Sequence, residues 1–195
     1  GDSAVGGLQG MRDIERHALL PLKGVPLNAA DKNTKKIMEN AEMSEIITAV
    51  GTGIAPHCDI DKIRYSKIIL TADADPDGNH INTLLITLFM KHMPEIIKGG
   101  FLYLCEPPLY GYGYNEKFVP LWDEEELEKA RKEGKTILRF KGLGEYSDVL
   151  IERFILKPKE RRLLQLQWYD DIEKLISLVS DGAERKKLAL GEWTL

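Results

Sequence analysis

Hydrophobic and polar positions along the chain follow two different periods, which indicates that strands and helices alternate. Short apolar runs bounded by glycine, proline or polar residues predict strands at 17–22, 68–70, 101–104, 117–120 and 136–140. Apolar or paired charged residues at helical spacing predict helices at 34–50, 79–98, 123–132, 150–156, 161–166 and 172–179. Residues 2–12, which contain three glycines, are predicted to be a loop that enters a helix. The alternation is typical of an α/β fold.

An acidic stretch after one of these strands is the strongest candidate site. The strand Ile68–Leu70 leads into Asp73, Asp75 and Asp77. Alternate side chains of an extended chain point the same way, so these carboxylates would repel one another unless protons or cations relieved the repulsion, and a divalent metal is the expected occupant. Oxygen ligands alone favour magnesium or calcium over zinc. Asn79 is predicted to cap the next helix, which places the site at the carboxyl end of a strand.

Other interpretations of the acidic stretch stay open. An EF-hand loop would begin with the same aspartates, but Leu84 stands where its closing glutamate belongs, and the segment before it is strand-like. A phosphatase with an aspartyl nucleophile also places two aspartates after a strand. A solvated acidic turn would explain an isolated pair of aspartates, but three aspartates and a glycine after an apolar strand favour a metal site.

Composition narrows the class of protein. The 195 residues provide room for one domain with a small appendage, and 43% apolar with 30% charged content indicates a soluble globular chain. No apolar run reaches the roughly 20 residues that cross a bilayer. Cys58 and Cys105 form neither a zinc pattern nor a disulfide framework, which favours free thiols in the cytoplasm. A net charge of −4 argues against coating nucleic acid by bulk electrostatics but permits local contacts.

Five stretches of sequence occur together in a fixed order. The most specific is Thr-Ala-Asp-Ala-Asp-Pro-Asp-Gly-Asn-His-Ile at 71–81. The other four are Gly-Asp-Ser-Ala at 1–4, Pro-Leu-Lys-Gly at 21–24, Pro-Pro-Leu-Tyr at 107–110 and Lys-Gly-Leu-Gly-Glu at 141–145. Together they resemble the Toprim domain of type IIA DNA topoisomerases, as found in the B subunits of gyrase and topoisomerase IV. The resemblance covers most of the chain.

The resemblance implies a fold and a division of the chain. The expected fold is a Rossmann-like parallel Toprim sheet followed by a helical carboxyl-terminal tail. Residues 1–112 would form the Toprim core, and residues 113–195 the remainder of the Toprim region and the tail. In the family, a glutamate that acts in metal binding and acid–base chemistry directly precedes the Gly-Asp-Ser-Ala motif. The first core strand and this catalytic glutamate are therefore expected before Gly1, so the chain alone is expected to be inactive.

The resemblance also implies a function. The chain would be the metal-binding part of an ATP-dependent type II topoisomerase that cuts and rejoins double-stranded DNA with Mg²⁺. An A-type partner subunit would supply the nucleophilic tyrosine, and an amino-terminal region would hydrolyse ATP. Tyr110, Tyr112 and Tyr114 are accordingly expected to be packing residues. A cytoplasmic enzyme of a bacterium or a phage is consistent with this compact sequence.

Candidate site residues follow from the resemblance and from one basic cluster. The implied metal ligands are Asp73, Asp75 and Asp77, and the residues near the inhibitor pocket of the family are Asp2 and Lys23. The predicted DNA contacts are Lys23, Asn28 and His80, which match the family, and the clustered cations Arg139 and Lys141. Val25 departs from the family pattern, in which a lysine is common at this position.

Two other function classes remain possible at the level of sequence. Toprim sheets also occur in primases and nucleases, and the acidic pattern alone does not separate these enzymes from topoisomerases. The Pro-Leu-Lys-Gly, Pro-Pro-Leu-Tyr and Lys-Gly-Leu-Gly motifs together favour the topoisomerase branch. A non-catalytic assembly domain is the third possibility, because the expected glutamate is not in the sequence.

Overall fold

The computed structural model describes residues 2–73 and 75–169. The helices of this part are α1 (Asp2–Met11), α2 (Thr34–Glu39), α3 (Ala41–Val50), α4 (Pro76–His92), α5 (Pro94–Lys98), α6 (Glu124–Lys132) and α7 (Asp148–Ile151), and a π-helical segment, Glu152–Leu156, continues α7. The strands are β1 (Ile68–Leu70), β2 (Leu102–Cys105), β3 (Tyr110–Tyr112), β4 (Val119–Leu121), β5 (Ile137–Arg139) and β6 (Leu163–Gln165). This mixture confirms the predicted α/β class.

The strands form two three-stranded sheets. In the first sheet the order is β1, β2, β6. Strands β1 and β2 form its parallel pair and are connected through helices α4 and α5, as a parallel pair requires. Strand β6 is antiparallel to β2, since Leu166 N–H donates to the Leu102 carbonyl and Glu106 N–H to the Arg162 carbonyl. The second sheet has the order β4, β3, β5, and both pairs are antiparallel.

Contacts between residues group the described chain into two units. The first takes residues from 2–24, 71–79 and 104–164, and the second takes residues from 25–70, 80–103 and 165–169. Each unit therefore consists of segments that are distant in sequence. The division of the chain at residue 112 stays a prediction.

Helices α2 and α3 replace the single helix predicted over 34–50. Asn40 separates them, because its backbone is extended and its side-chain oxygen accepts a hydrogen bond from Met43 N–H at 3.0 Å. This residue ends α2 and caps α3, since an asparagine side chain satisfies a free amide at the start of a helix. Gly51 ends α3 in the left-handed region, with φ 91°, where glycine has no steric cost.

The core of the second unit is made by the apolar faces of α2 to α5. Its largest fully buried side chains, with Leu102 of β2 among them, are Ile37, Met43, Leu88, Phe89, Met93, Ile96 and Leu102. His92 is buried among them, and its Nε2 lies 3.1 Å from the carbonyl oxygen of Ala29. Burial lowers the pKa of His92. The imidazole is therefore kept neutral, and its hydrogen bond fixes the segment around Ala29 to α4.

Other predicted elements also differ from the structure. Residues 17–22 form no strand and lie partly in solvent, although their composition is apolar. The helix predicted at 161–166 is wrong, because Leu163–Gln165 form strand β6. Residues 2–11 are helical throughout, although three of them are glycines, and a Cβ added at Gly7 would lie 3.0 Å from Ile151 Cδ1. The helix predicted at 172–179 and the rest of the helical tail lie outside the described residues.

The second sheet packs against α6. Leu121, Leu127 and Ala130 form a small buried cluster, and Tyr110, Tyr112 and Ile137 pack against it. The packing role predicted for the tyrosines is thus confirmed for Tyr110 and Tyr112 and is wrong for Tyr114, which is 71% exposed.

Both cysteines are free, as predicted, and their surroundings differ. Cys58 is partly exposed, whereas Cys105 is buried and burial raises its pKa to about 11. Because the thiolate is the reactive form, Cys105 should hold roughly a hundredfold less of it at pH 8 than an ordinary thiol. We expect one thiol, Cys58, to react quickly with a colorimetric thiol reagent in the native chain. Both should react in denaturant, and equal native rates would contradict this.

Candidate metal and DNA site

The acidic stretch turns directly into helix α4. Asp75 caps this helix, because its Oδ1 accepts a hydrogen bond from Gly78 N–H at 2.7 Å and its carbonyl accepts one from Asn79 N–H at 3.0 Å. Pro76 is the first helical residue, a position at which proline costs no hydrogen bond. The prediction that Asn79 caps the helix is therefore wrong, since α4 begins three residues earlier.

Gly78 brings the first turn of α4 against the backbone of Asp73. A Cβ atom at Gly78 would overlap the carbonyl oxygen of Asp73 and would lie 2.8 Å from its carbonyl carbon. Backbone atoms cannot move away as the end of a flexible side chain can. Glycine at this position is therefore required for the acidic loop to fold back over the helix.

The carboxylate of Asp73 is held by a second segment. Its Oδ1 accepts a hydrogen bond from the backbone N–H of Leu143 at 2.7 Å. The neighbouring residue, Gly142, lies so close that an added Cβ would be 3.0 Å from Asp73 Cγ. Residues of two predicted motifs, separated by about 70 positions, thus meet at one carboxylate.

The segment that holds Asp73 is itself fixed by internal hydrogen bonds. Glu145 Oε2 accepts a hydrogen bond from Lys141 N–H at 2.8 Å. Residues Leu143–Glu145 form a single 3-10 turn, in which Glu145 N–H donates to the Gly142 carbonyl at 3.1 Å. The Leu143 N–H donates to Asp73, outside this turn.

Tyr146 fastens this segment to the Pro-Pro-Leu-Tyr motif. Its hydroxyl donates to the carbonyl of Pro108 at 2.5 Å, and its ring stacks on Phe140 at 4.4 Å between centroids. Phe140 N–H in turn donates to the Leu109 carbonyl at 2.9 Å. Burial, reinforced by nearby acidic groups including Asp73, raises the pKa of Tyr146. The hydroxyl therefore remains a proton donor at all ordinary pH values.

The predicted metal ligands are in part arranged differently from the expectation. Asp77 lies in the first turn of α4, so the three aspartates do not alternate along one extended segment. In residues 2–73 and 75–169, no three His, Cys, Asp or Glu side chains are grouped closely enough to hold a metal ion. Each of Asp73 and Asp75 uses one oxygen for a backbone amide, and a carboxylate retains further acceptor capacity on its second oxygen. This donor set fits Mg²⁺, which prefers carboxylate oxygens and retains several waters.

The predicted DNA contacts of the first unit are cationic and exposed. Lys23 follows the irregular segment after α1, Arg139 ends β5 and Lys141 begins the loop that holds Asp73. The guanidinium carbon of Arg139 lies 5.9 Å from the ring centroid of Tyr110, a distance at which a cation is attracted to an aromatic face. Their role in DNA binding stays a prediction.

The remaining predicted site residues are found elsewhere. Asn28 and His80 belong to the second unit, and Asp2 is the first residue of α1. The side chain of Asn28 is half-buried, and its Oδ1 accepts a hydrogen bond from Ala30 N–H at 3.0 Å. His80 is exposed and is the fifth residue of α4, so it lies one turn inside the helix and not among the terminal amides that favour an anion.

Sequence reasoning missed two contributors to this site. The backbone amide of Leu143 and the phenol of Tyr146 carry no residue-type signature of a site, because one is a main-chain group and the other is an ordinary buried tyrosine. The glycines of the 141–145 motif did indicate close approach to another surface. The Asp-Pro pair at 75–76 was also a signal for a helix start that the prediction overlooked.

Comparison with known proteins decides the family. The Toprim domain family matches residues 1–107. The chain belongs to this family. The match supports the Rossmann-like Toprim fold and agrees with the parallel pair β1 and β2. It also covers the acidic stretch of this Toprim chain.

Relatives of this Toprim chain extend the similarity beyond the matched domain. The chain is 39% identical to the B subunit of DNA topoisomerase 4 from Mycoplasma capricolum, over 98% of its length. It is 40% identical to the B subunit of DNA gyrase from Mycoplasmoides gallisepticum, over 92% of this chain. It is 37% identical to the B subunit of DNA gyrase from Treponema pallidum, over 89% of this chain. The resemblance to B subunits is therefore confirmed.

The Toprim chain corresponds to a part of these relatives. It spans 31% of the topoisomerase protein and 28% of each of the two gyrase proteins.

Among the described residues, no helix combines the length and the apolar character that crossing a membrane requires.

Proposed function

We propose that this chain is the metal-binding part of a type IIA DNA topoisomerase that cuts and rejoins double-stranded DNA in a Mg²⁺-dependent reaction. Two findings support the proposal: the similarity to gyrase and topoisomerase IV B subunits, and the carboxylate of Asp73 held in place by a backbone amide. The second finding is the observation that carries it, because a catalytic cation needs an anionic ligand in a fixed position.

The residues of the acidic loop would divide the work. Asp73 and Asp75 would hold Mg²⁺ through the oxygens that do not accept backbone hydrogen bonds, and Asp77 would contribute directly or through water. When bound, Mg²⁺ supplies charge stabilisation to phosphate and sugar oxygens. The Leu143 amide and the helix cap at Asp75 would keep the two carboxylates oriented while DNA enters and leaves.

The whole reaction would need other parts. The attacking tyrosine would come from an A-type breakage-reunion subunit, and ATP hydrolysis from an amino-terminal region on the same or a separate chain. Lys23, Arg139 and Lys141 would contact phosphates of the DNA, with Asn28 and His80 adding polar contacts. Asp2 and Lys23 would lie near an inhibitor pocket. We place the assembled enzyme in the cytoplasm.

The direct test is reconstitution. The protein that contains this chain, assembled with an A-type subunit, should cleave supercoiled plasmid in Mg²⁺ and leave protein joined to the DNA ends. Cleavage should stop when the metal is chelated. DNA cutting by the chain alone would favour the nuclease class instead, and binding without cleavage by the full assembly would favour an assembly domain.

Local basic residues should determine the salt dependence of DNA binding. Each lysine that neutralises a phosphate contributes close to one unit to the slope of log affinity against log salt. Lys23→Ala and Lys141→Ala in the assembled enzyme should each lower affinity for all duplexes about equally and make this slope shallower by about one unit. A fluorescence anisotropy titration at several salt concentrations measures both quantities.

The matched control is Lys35→Ala, which removes an exposed lysine outside the predicted contacts that lies 3.9 Å from Glu39. It should leave both quantities unchanged. An unchanged affinity and slope for Lys23→Ala and Lys141→Ala would remove these two residues from the DNA contact.

A further inference from the structure

We propose that the Gly142–Leu143 backbone is a positioning element for Asp73, which fixes the orientation of its carboxylate and thereby sets the metal affinity of the chain. This inference rests on the proposed function, because it concerns the same acidic loop. It assigns a role to main-chain atoms of residues 142–143 and to the glycine itself.

The hydrogen bond to Leu143 selects one orientation of the carboxylate. Asp73 is exposed and lies in irregular chain, where an aspartate side chain would ordinarily sample several rotamers. A donor at 2.7 Å from a charged oxygen is a short, charge-assisted hydrogen bond, which is stronger than one between neutral groups. Oδ1 is therefore committed to the amide, and Oδ2 is the oxygen that is presented to a cation.

Gly142 restricts the carboxylate from a second direction. An added Cβ at this residue would lie 3.0 Å from Cγ, 3.0 Å from Oδ1 and 3.2 Å from Oδ2 of Asp73. The backbone of Gly142 has φ −160° and ψ 168°, an extended conformation that any residue adopts. Glycine is thus not required here by its own backbone. What requires it is the close approach of the whole Asp73 carboxyl group.

The positioning element is anchored in the core of the first unit. Tyr146 N–H donates to the Leu143 carbonyl at 3.3 Å, and the buried Tyr146 hydroxyl holds the Pro108 carbonyl. At its other end the loop is closed by the hydrogen bond between Lys141 N–H and Glu145. These contacts keep the Leu143 amide in place before any cation binds, which is the condition for preorganisation.

The test compares two identical substitutions in the 195-residue chain. Gly142→Ala adds a methyl group against Asp73 without backbone strain, whereas Gly10→Ala adds the same group in α1, where no atom lies within 4 Å apart from those of the adjoining residues and of the helix backbone. Partners that orient metal ligands typically contribute roughly 10- to 100-fold to affinity. We therefore expect Gly142→Ala to weaken Mn²⁺ binding by roughly tenfold, measured from free Mn²⁺ by electron paramagnetic resonance with Mg²⁺ as competitor. Gly10→Ala should bind as the wild type does.

A measurement without metal separates this inference from the proposed function. Hydrogen exchange of the Leu143 amide should be slow in the wild type and in Asp73→Asn, which keeps an acceptor oxygen, and several-fold faster in Asp73→Ala. Equal exchange in all three overturns the inference, as does unchanged Mn²⁺ affinity in Gly142→Ala. If neither the wild-type chain nor its assembly with the A-type partner binds Mn²⁺, the metal-binding part of the proposed function fails, and the positioning role fails with it even where the exchange pattern holds.

Discussion

Replacement of Asp73 by asparagine is expected to slow DNA cleavage by the assembled enzyme about a hundred- to a thousandfold, while the chain still folds. Loss of one negatively charged ligand should remove about 3 to 4 kcal/mol of transition-state stabilisation by the metal. The fold should survive because the asparagine oxygen can still accept the hydrogen bond of the Leu143 amide. Single-turnover cleavage of plasmid in Mg²⁺ measures the rate, and thermal unfolding measures the fold.

Asp61→Asn is the control for this substitution. Asp61 is an exposed aspartate in the 3-10 turn Ile60–Lys62, outside the acidic loop, and its loss should leave the cleavage rate unchanged. Cleavage by Asp73→Asn at the wild-type rate would exclude a metal role for this carboxylate, and the proposed function would lose the observation that carries it.

Substitution of Gly78 by alanine is expected to be among the most destabilising single changes in the described chain. The added methyl group would overlap the Asp73 carbonyl, so either the first turn of α4 or the acidic loop must move. Overpacking against a fixed backbone costs about 1 to 3 kcal/mol and sometimes more, and we expect about 2 to 4 kcal/mol here. Urea unfolding followed by circular dichroism gives this difference in the free energy of unfolding.

Gly10→Ala serves as the reference for Gly78→Ala. Gly10 is also helical, but an added methyl group would meet open space, so alanine should stabilise the chain by up to about 1 kcal/mol. Two substitutions of the same kind should thus have opposite signs. If Gly78→Ala unfolds at the same urea concentration as the wild type, the close packing of the acidic loop on α4 is not a feature of the chain in solution.

The fold was predictable where local chemistry determined the outcome. Strand β1 and helix α6 were identified correctly, because a short apolar run and charges paired at helical spacing are local signals. Strand β6 was not, since its residues have helical spacing and adopt a strand only through hydrogen bonding to β2. The opposite error occurred at residues 17–22, which were predicted to be a strand and are not one. An apolar run becomes a strand only where another strand is hydrogen-bonded to it.

The candidate site was predictable as a set of side chains and not as a geometry. The aspartates and the glycine-rich motif at 141–145 were both recognised from the sequence. The contact between these two motifs at Asp73 could not be predicted. It joins residues about 70 positions apart, and its donor is a backbone N–H, a group that almost every residue carries. Helix α4 begins at Pro76, so Asp77 lies in the helix and not in an extended segment. The proline after Asp75 was a sequence signal for this helix start.

Asp73 is in contact with glycines from two directions: its backbone touches Gly78 and its carboxylate touches Gly142. In evolutionary terms the three positions are therefore not independent. A larger residue at either glycine would collide with the aspartate, and a larger acid in place of Asp73 would collide with the backbone of Gly142. A single substitution at any of the three positions should give a less stable or less active protein. We therefore expect related sequences to differ mainly at other positions, and to differ at these three positions together when they differ there at all.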